Sequence, residues 1–130
     1  IGIQDPFTVT GNYIGILNTK DSSIVTSGDY ERYFVYNGER YHHIIDAKTG
    51  YPAKNEISGI SIISDKSIDG DALSTAIFVM GVEKGTKLIN SLENVDTIFI
   101  TKDKKVFIPK SLEEYFTLSN EKLKLIINPF

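Results

Sequence analysis

The chain lacks cysteine and tryptophan and carries one methionine, four prolines and two histidines in 130 residues. Without cysteine there is no disulfide, zinc–thiolate site or thiol nucleophile. That absence suits an extracytoplasmic protein without requiring one. An excess of basic charge is missing as well. The net charge is −3 and the pI about 5.3, against the basic face of a nucleic-acid binder. Lys102, Lys104 and Lys105, like Lys122 and Lys124, read as solvated hairpin and tail positions. No apolar run approaches the length of a membrane span, and no signal-peptide pattern is present. The chain opens on Ile1-Gly2-Ile3-Gln4-Asp5-Pro6 with no initiator methionine, a start expected of a fragment or a processed product.

What is present is ordinary for one globular domain: 41% hydrophobic and 24% charged residues, with length enough for a core. Strand-like runs fall at 1–4, 13–17 and 23–27. A hairpin is predicted from Arg32 to Tyr36 and Arg40 to Ile45, turning at Asn37-Gly38, because both turn residues tolerate positive φ. Residues 57–63 alternate apolar and small polar side chains, as in a half-buried strand. From Ile68 the period becomes helical through Ala72, Leu73, Ala76, Ile77 and Met80, and Gly81 closes the run. A second helix is predicted over 83–92, with Leu88, Ile89 and Leu92 inward. A hairpin over 96–108 and strand-like pieces at 115–118 and 123–127 complete an α+β domain: a mostly antiparallel sheet carrying two consecutive helices.

Two stretches bear chemistry. Tyr41-His42-His43-Ile44-Ile45-Asp46-Ala47-Lys48-Thr49-Gly50 holds both histidines, just before a turn that opens on Asp46 and closes on a glycine. Neighbouring strand side chains face opposite ways, so only one histidine can serve a given cleft while the other packs or faces solvent. Imidazole is the common general base near neutral pH, although a histidine that merely satisfies hydrogen bonds is the plainer reading. Asp69-Gly70-Asp71-Ala72-Leu73-Ser74-Thr75 sets a carboxylate and a hydroxyl, Asp71 and Thr75, one turn apart at the start of a helix. They are either hard-cation ligands, too few alone, or acids favoured by the helix dipole. Thr26-Ser27-Gly28 ends a strand with two hydroxyls and a glycine; such a turn can offer backbone N–H groups to a phosphate, and is more often only a turn. Tyr30, Tyr33, Phe34, Tyr36 and Tyr41 give the hairpin an aromatic face, suited to core packing or to bordering a flat ring.

Taken together these motifs resemble the ApbE-type flavin transferases. The matching pieces are Gly2-Ile3-Gln4-Asp5-Pro6, then Ile24-Val25-Thr26-Ser27-Gly28-Asp29-Tyr30-Glu31-Arg32, then Tyr41 through Ala53, and finally Asp71-Ala72-Leu73-Ser74-Thr75-Ala76 through Met80-Gly81. The resemblance covers about residues 1–110, and its motifs are highly specific as a set. It implies the family's T-fold-like architecture and a Mg²⁺-dependent enzyme that takes FAD as substrate. Such an enzyme transfers FMN to a threonine hydroxyl of an acceptor protein and releases AMP. Carried over, His43 is the general base and Asp71 and Thr75 are magnesium ligands. Thr26, Ser27 and Gly28, with Ile44, Asp46 and Thr49 of the following loop, line the flavin and pyrophosphate site. The resemblance also implies a lipoprotein or a periplasmic or surface-exposed setting.

Two departures stand out. Ala47 occupies the place of the family's usual proline after the loop aspartate. The family's N-terminal half, with its glycine-rich segment and part of the adenosine pocket, has no counterpart here. The expectation is therefore a C-terminal portion, completed by that half or by a second copy of the chain, weak toward FAD alone and exposing an apolar surface. Rival readings are an FAD pyrophosphatase that uses water as acceptor, and a non-catalytic flavin-binding or interaction module.

Overall fold

The computed structural model describes residues 1–127. Ten strands and two helices follow one another as β1 (Gly2–Gln4), β2 (Tyr13–Leu17), β3 (Ser23–Gly28), β4 (Tyr33–Tyr36), β5 (Glu39–His42), β6 (Ile57–Ser64), α1 (Ser67–Met80), α2 (Val82–Asn90), β7 (Val95–Thr101), β8 (Lys105–Ile108), β9 (Phe116–Leu118) and β10 (Lys124–Ile127). The α+β class stands, but the strands form three sheets rather than one. A five-stranded sheet has the order β10-β8-β7-β6-β3, a three-stranded one β1-β2-β9, and β4-β5 stand as a separate ribbon. All pairings are antiparallel except β10 on β8.

β6 overturns the half-buried expectation, because every one of its residues is buried. Side chains alternate across a strand, so two cores form, one on each face of the large sheet. Ile60, Ile62 and Phe99 join Ile77, Phe78, Val82 and Ile89 of the helices. Ile63, Ile98, Ile100, Val106 and Ile108 pack with Ile3, Ile14, Leu17 and Phe116 from the smaller sheet. Each fully buried isoleucine contributes roughly 1.5–3 kcal/mol of transfer free energy. The three-layer arrangement is what gives so short a chain enough of them.

The helices also depart from the sequence-based faces. α1 buries Gly70, Ser74, Ile77 and Phe78, leaving Ile68 74% and Met80 38% exposed. Small residues let this helix lie close on β3: a Cβ on Gly70 would stand 2.9 Å from Val25 Cγ2. α2 turns Val82, Gly85 and Ile89 inward, while Leu92, expected inside, lies past its end and is 38% exposed. The predicted β4–β5 turn is as expected, with Asn37 at φ 49° and Gly38 at φ 76°. Its aromatic face, however, is not core: Tyr33, Phe34 and Tyr36 are exposed. Phe34 stacks on Tyr41 at 5.2 Å, and Arg40 covers Tyr33 at 4.2 Å. A two-stranded ribbon has no third strand to bury its sides, so its rings cover one another.

Gly85 offers a test of the packing. Alanine is favoured over glycine inside a helix by about 1 kcal/mol, yet a Cβ there would meet Ile77 Cγ2 at 2.4 Å. Gly85→Ala is expected to destabilise the chain by about 1–3 kcal/mol in urea unfolding, as overpacked sites do. A stabilised variant would show that α1 and α2 are not held at this distance.

Candidate functional site

The two histidines separate cleanly by their partners. His42, the last residue of β5, is buried, with its ring edge-on to Phe78 at 5.6 Å. Its Nε2 lies 3.0 Å from Ala53 O, and its Nδ1 accepts from the Ile44 amide at 3.3 Å. A carbonyl only accepts and an amide N–H only donates, so His42 carries its proton on Nε2 and both ring nitrogens are engaged. His43 is exposed. Its Nδ1 lies 3.3 Å from Arg32 O, which also accepts the His43 amide at 3.1 Å. Nδ1 is therefore the donor, and among the described residues Nε2 has no hydrogen-bond partner. Of the two imidazoles, only His43 has a free basic nitrogen.

The loop after His43 is a tight self-bonded turn. Asp46 Oδ1 accepts from the Lys48 amide at 2.9 Å, and Asp46 O accepts from Thr49 N and Gly50 N. Thr49 Oγ1 accepts from the Tyr51 amide at 3.2 Å, and Gly50 has φ 73°. Ile44 is buried beneath, and Ile45 bridges to Pro52. Asp46 thus shapes the turn in the manner of an Asx-turn, with Ala47 in the middle.

At the end of β3 the hydroxyls are both engaged, one within the sheet and one between layers. Thr26 Oγ1 meets Ser61 Oγ at 2.8 Å across the strand pair, and Ser27 Oγ meets Ser74 Oγ of α1 at 2.8 Å. Ser74 in turn donates to Asp71 O at 3.1 Å. The turn expected at Gly28 is absent: Gly28 is still in β3, paired opposite Gly59, and the Asp29 amide bonds to Ser58 O. No nest of free N–H groups is left there. Gly28 instead makes room for the Tyr30 ring, which lies where its Cβ would be. Burial pushes that phenol up to about 12.

On α1, Asp71 and Thr75 are exposed side by side, and the Thr75 hydroxyl donates to Asp71 O at 3.4 Å. The structure thus ties β3 to α1 through Ser27 and Ser74. Among the described residues no hydrogen bond joins His43 to Asp71 or Thr75, and no group of three or more acidic or histidine side chains is poised for a metal.

Several charged residues that were given no role from the sequence bear on this region. Glu31, two residues past Asp29, has its carboxyl raised by burial, while the nearby His43 and Arg32 act to lower it. Asp29 is 6% exposed, with Arg40 Nη1 3.6 Å from its Oδ1. That oxygen has no hydrogen-bond partner. Asp29 lies in a cleft of about 890 Å³ bordered by Phe7, Arg40, His42, Tyr51, Lys102 and Lys104. The signal was the run Gly28-Asp29-Tyr30-Glu31-Arg32: charges crowded directly after a buried strand. Lys102 and Lys104, read as plain hairpin lysines, line this cleft.

Burial holds the Asp29 carboxyl above its ordinary value of 3.8, with Arg40, Lys102 and His42 acting to lower it. The folded chain therefore binds this proton more tightly than the unfolded chain. Asp29 contributes a loss of stability that sets in above pH 3.8 and is complete once pH passes the folded value. Asp29→Asn is expected to lessen the fall in unfolding free energy between acid and neutral pH. An unchanged pH slope in urea titrations would remove Asp29 from that account.

Comparison with known proteins draws these pieces together. The ApbE family model matches residues 1–99. The FAD:protein FMN transferase of Klebsiella pneumoniae (strain 342) is 44% identical over 108 residues, covering 83% of this chain and 34% of the relative. That of Treponema pallidum (strain Nichols) is 45% identical over 106 residues, covering 82% and 29%. Among solved structures, the ApbE protein from Thermotoga maritima superposes with a TM-score of 0.77 at 34% identity, over 88% of this chain and 37% of that one. The flavin transferase ApbE from Vibrio cholerae gives 0.61 at 30% identity, over 72% and 30%. The chain spans about a third of the length of the curated relatives it matches. By the extent of the family match and the identity to these relatives, the chain belongs to the ApbE family.

Proposed function

We propose that this chain is the C-terminal portion of an FAD:protein FMN transferase. In this reading a threonine hydroxyl of an acceptor protein attacks the FMN phosphorus of FAD, the pyrophosphate P–O bond breaks, and AMP leaves. The observation that carries the reading is the free Nε2 of His43. Its Nδ1–H is fixed on Arg32 O, so the second nitrogen is oriented outward as an acceptor for the hydroxyl proton. Glu31 stands near that ring, its carboxyl raised by burial and lowered in turn by His43 and Arg32. The Asp46–Gly50 turn stands beside the base and is the proposed flavin and pyrophosphate region. The Thr26 and Ser27 hydroxyls are already engaged by Ser61 and Ser74 and Ile44 is buried, so these residues and Gly28 would shape that region from within the fold rather than contact the substrate through free groups.

Asp71 and Thr75 offer one carboxylate and one hydroxyl on an exposed helix face. That donor set fits Mg²⁺, which commonly takes one or two protein oxygens and completes its shell with water and substrate phosphate. When bound, the ion supplies charge neutralisation on the pyrophosphate. Asp71 and Thr75 would hold it; the rest of the chain's part is to orient substrate and move one proton. The exposure of His43 gives the hydrolytic alternative a specific basis, since water can reach Nε2 as readily as a threonine does. An extracytoplasmic setting for the enzyme, as a membrane-anchored lipoprotein or a periplasmic or surface-exposed protein, belongs to the same proposal.

In the full-length enzyme, His43→Ala is expected to lower FMN transfer by about 10²–10⁴-fold, the usual worth of a general base, with FAD binding nearly intact. Transfer that survives would reassign the base. Asp71→Ala is expected to weaken the magnesium dependence together with the rate, and an unaltered magnesium titration would exclude it as a ligand. Chromatography of FAD incubated with Mg²⁺, with and without an acceptor protein, separates transferase from hydrolase. FMN released without acceptor supports hydrolysis, whereas FMN retained on the acceptor supports transfer.

A further inference from the structure

We propose that His42 is the positioning residue for His43: a neutral imidazole, protonated on Nε2, that clamps the base of the loop carrying His43 and loosens it when a second proton arrives. The inference deepens the reading of His43 as the base and rests on it for its catalytic consequence, though not for the clamp itself.

The loop leaves β5 at His43 and returns at Ala53. Its two ends are stitched by Ala53 N to Ile44 O at 2.9 Å, and by Asp46 N to Tyr51 O at 2.9 Å. His42 adds a side-chain cross-brace, because one ring reaches both ends: Nδ1 takes the Ile44 amide and Nε2 gives to Ala53 O. Phe78 of α1, itself 1% exposed, fixes the plane of that ring. The brace works in one protonation state only. An imidazolium donates from both nitrogens, so its Nδ1–H would face the Ile44 N–H and neither donor would have an acceptor. Ile44 is the residue directly after His43, so release of its amide loosens the backbone on one side of the base, leaving His43 held only by its own two bonds to Arg32 O.

The groups sharing the cleft with His42 set how readily this happens. Asp29 and Glu39 favour the imidazolium, whereas Arg40, Lys54, Lys102 and Lys104 oppose it. α1 presents the uncharged Phe78. The resemblance points to His43 alone, and nothing in the sequence assigns His42 a role until its partners are known.

Nitrogen-resolved NMR of the histidine rings in the 130-residue chain tests the clamp without any activity. At neutral pH the expected result is a proton on Nε2 of His42 and on Nδ1 of His43. On acidification the Ile44 amide signal should move with the titration of His42. In His42→Asn the side-chain Oδ1 can still accept that amide but cannot titrate, so the Ile44 signal should stay near its native position and lose this pH response. A proton on Nδ1 of His42, or a pH response of Ile44 that survives in His42→Asn, overturns the proposal. In the full-length enzyme, the acid limb of transfer is expected to fall with a two-proton slope in wild type and a one-proton slope in His42→Asn. The rate at neutral pH should drop about ten-fold, with the KM for FAD unchanged. Identical acid limbs would reduce His42 to a packing role. A wild-type enzyme that transfers no FMN would overturn the functional reading and leave the NMR result to decide the clamp.

Discussion

The whole arrangement depends on a strand that water never reaches. β6 is buried from end to end, which forces apolar or self-satisfying side chains onto both its faces. One face collects the helices and the other the small sheet. Because the period of a strand is two, a one-residue slip would exchange the two sets and bury Ser61 among the helices. The register with β3 and β7 is thereby tightly specified. It is also the register that brings Thr26 against Ser61 and Ser27 against Ser74.

From that frame the functional region is assembled by short, directional bonds rather than by bulk. Serines and a glycine on α1 let the helix lie against β3, and the same closeness leaves Asp71 and Thr75 on its outer side. Beyond the end of β3 the chain turns into charged residues at the edge of the apolar interior: Asp29 buried beside Arg40, then Glu31 near His43. Two adjacent histidines take opposite fates because successive side chains at a strand end point to opposite sides. One is drawn into the core against Phe78, and the other is left outward with a free nitrogen. The β4–β5 ribbon carries them both while contributing little to either core, its rings stacking on one another instead.

Much of the candidate site was legible before any coordinates, because its signals are local. The histidine–turn run, the one-turn spacing of Asp71 and Thr75, and the Asn37-Gly38 hairpin each depend on residues a few positions apart, and all three keep the local geometry expected. What could not be read was any property set by a third element. The alternation in residues 57–63 suggested one wet face, yet a second sheet covers it. The apolar spacing along α1 suggested Ile68 and Met80 as inward residues, yet contact with β3 selects Gly70 and Ser74. Thr26 and Ser27 looked like exposed turn hydroxyls, yet they bond to Ser61 and Ser74, 35 and 47 residues away.

The sequence by itself determined the family, the class of fold and the set of polar residues available for chemistry, because those reside in composition and short spacings. Only the tertiary structure decided which members of the set are free to act. A side chain's availability depends on whether distant backbone and side-chain partners claim its donors and acceptors. For His42 and His43 that decision rests on three groups, Arg32 O, Ile44 N and Ala53 O, and two of the three come from residues eleven positions away in the chain.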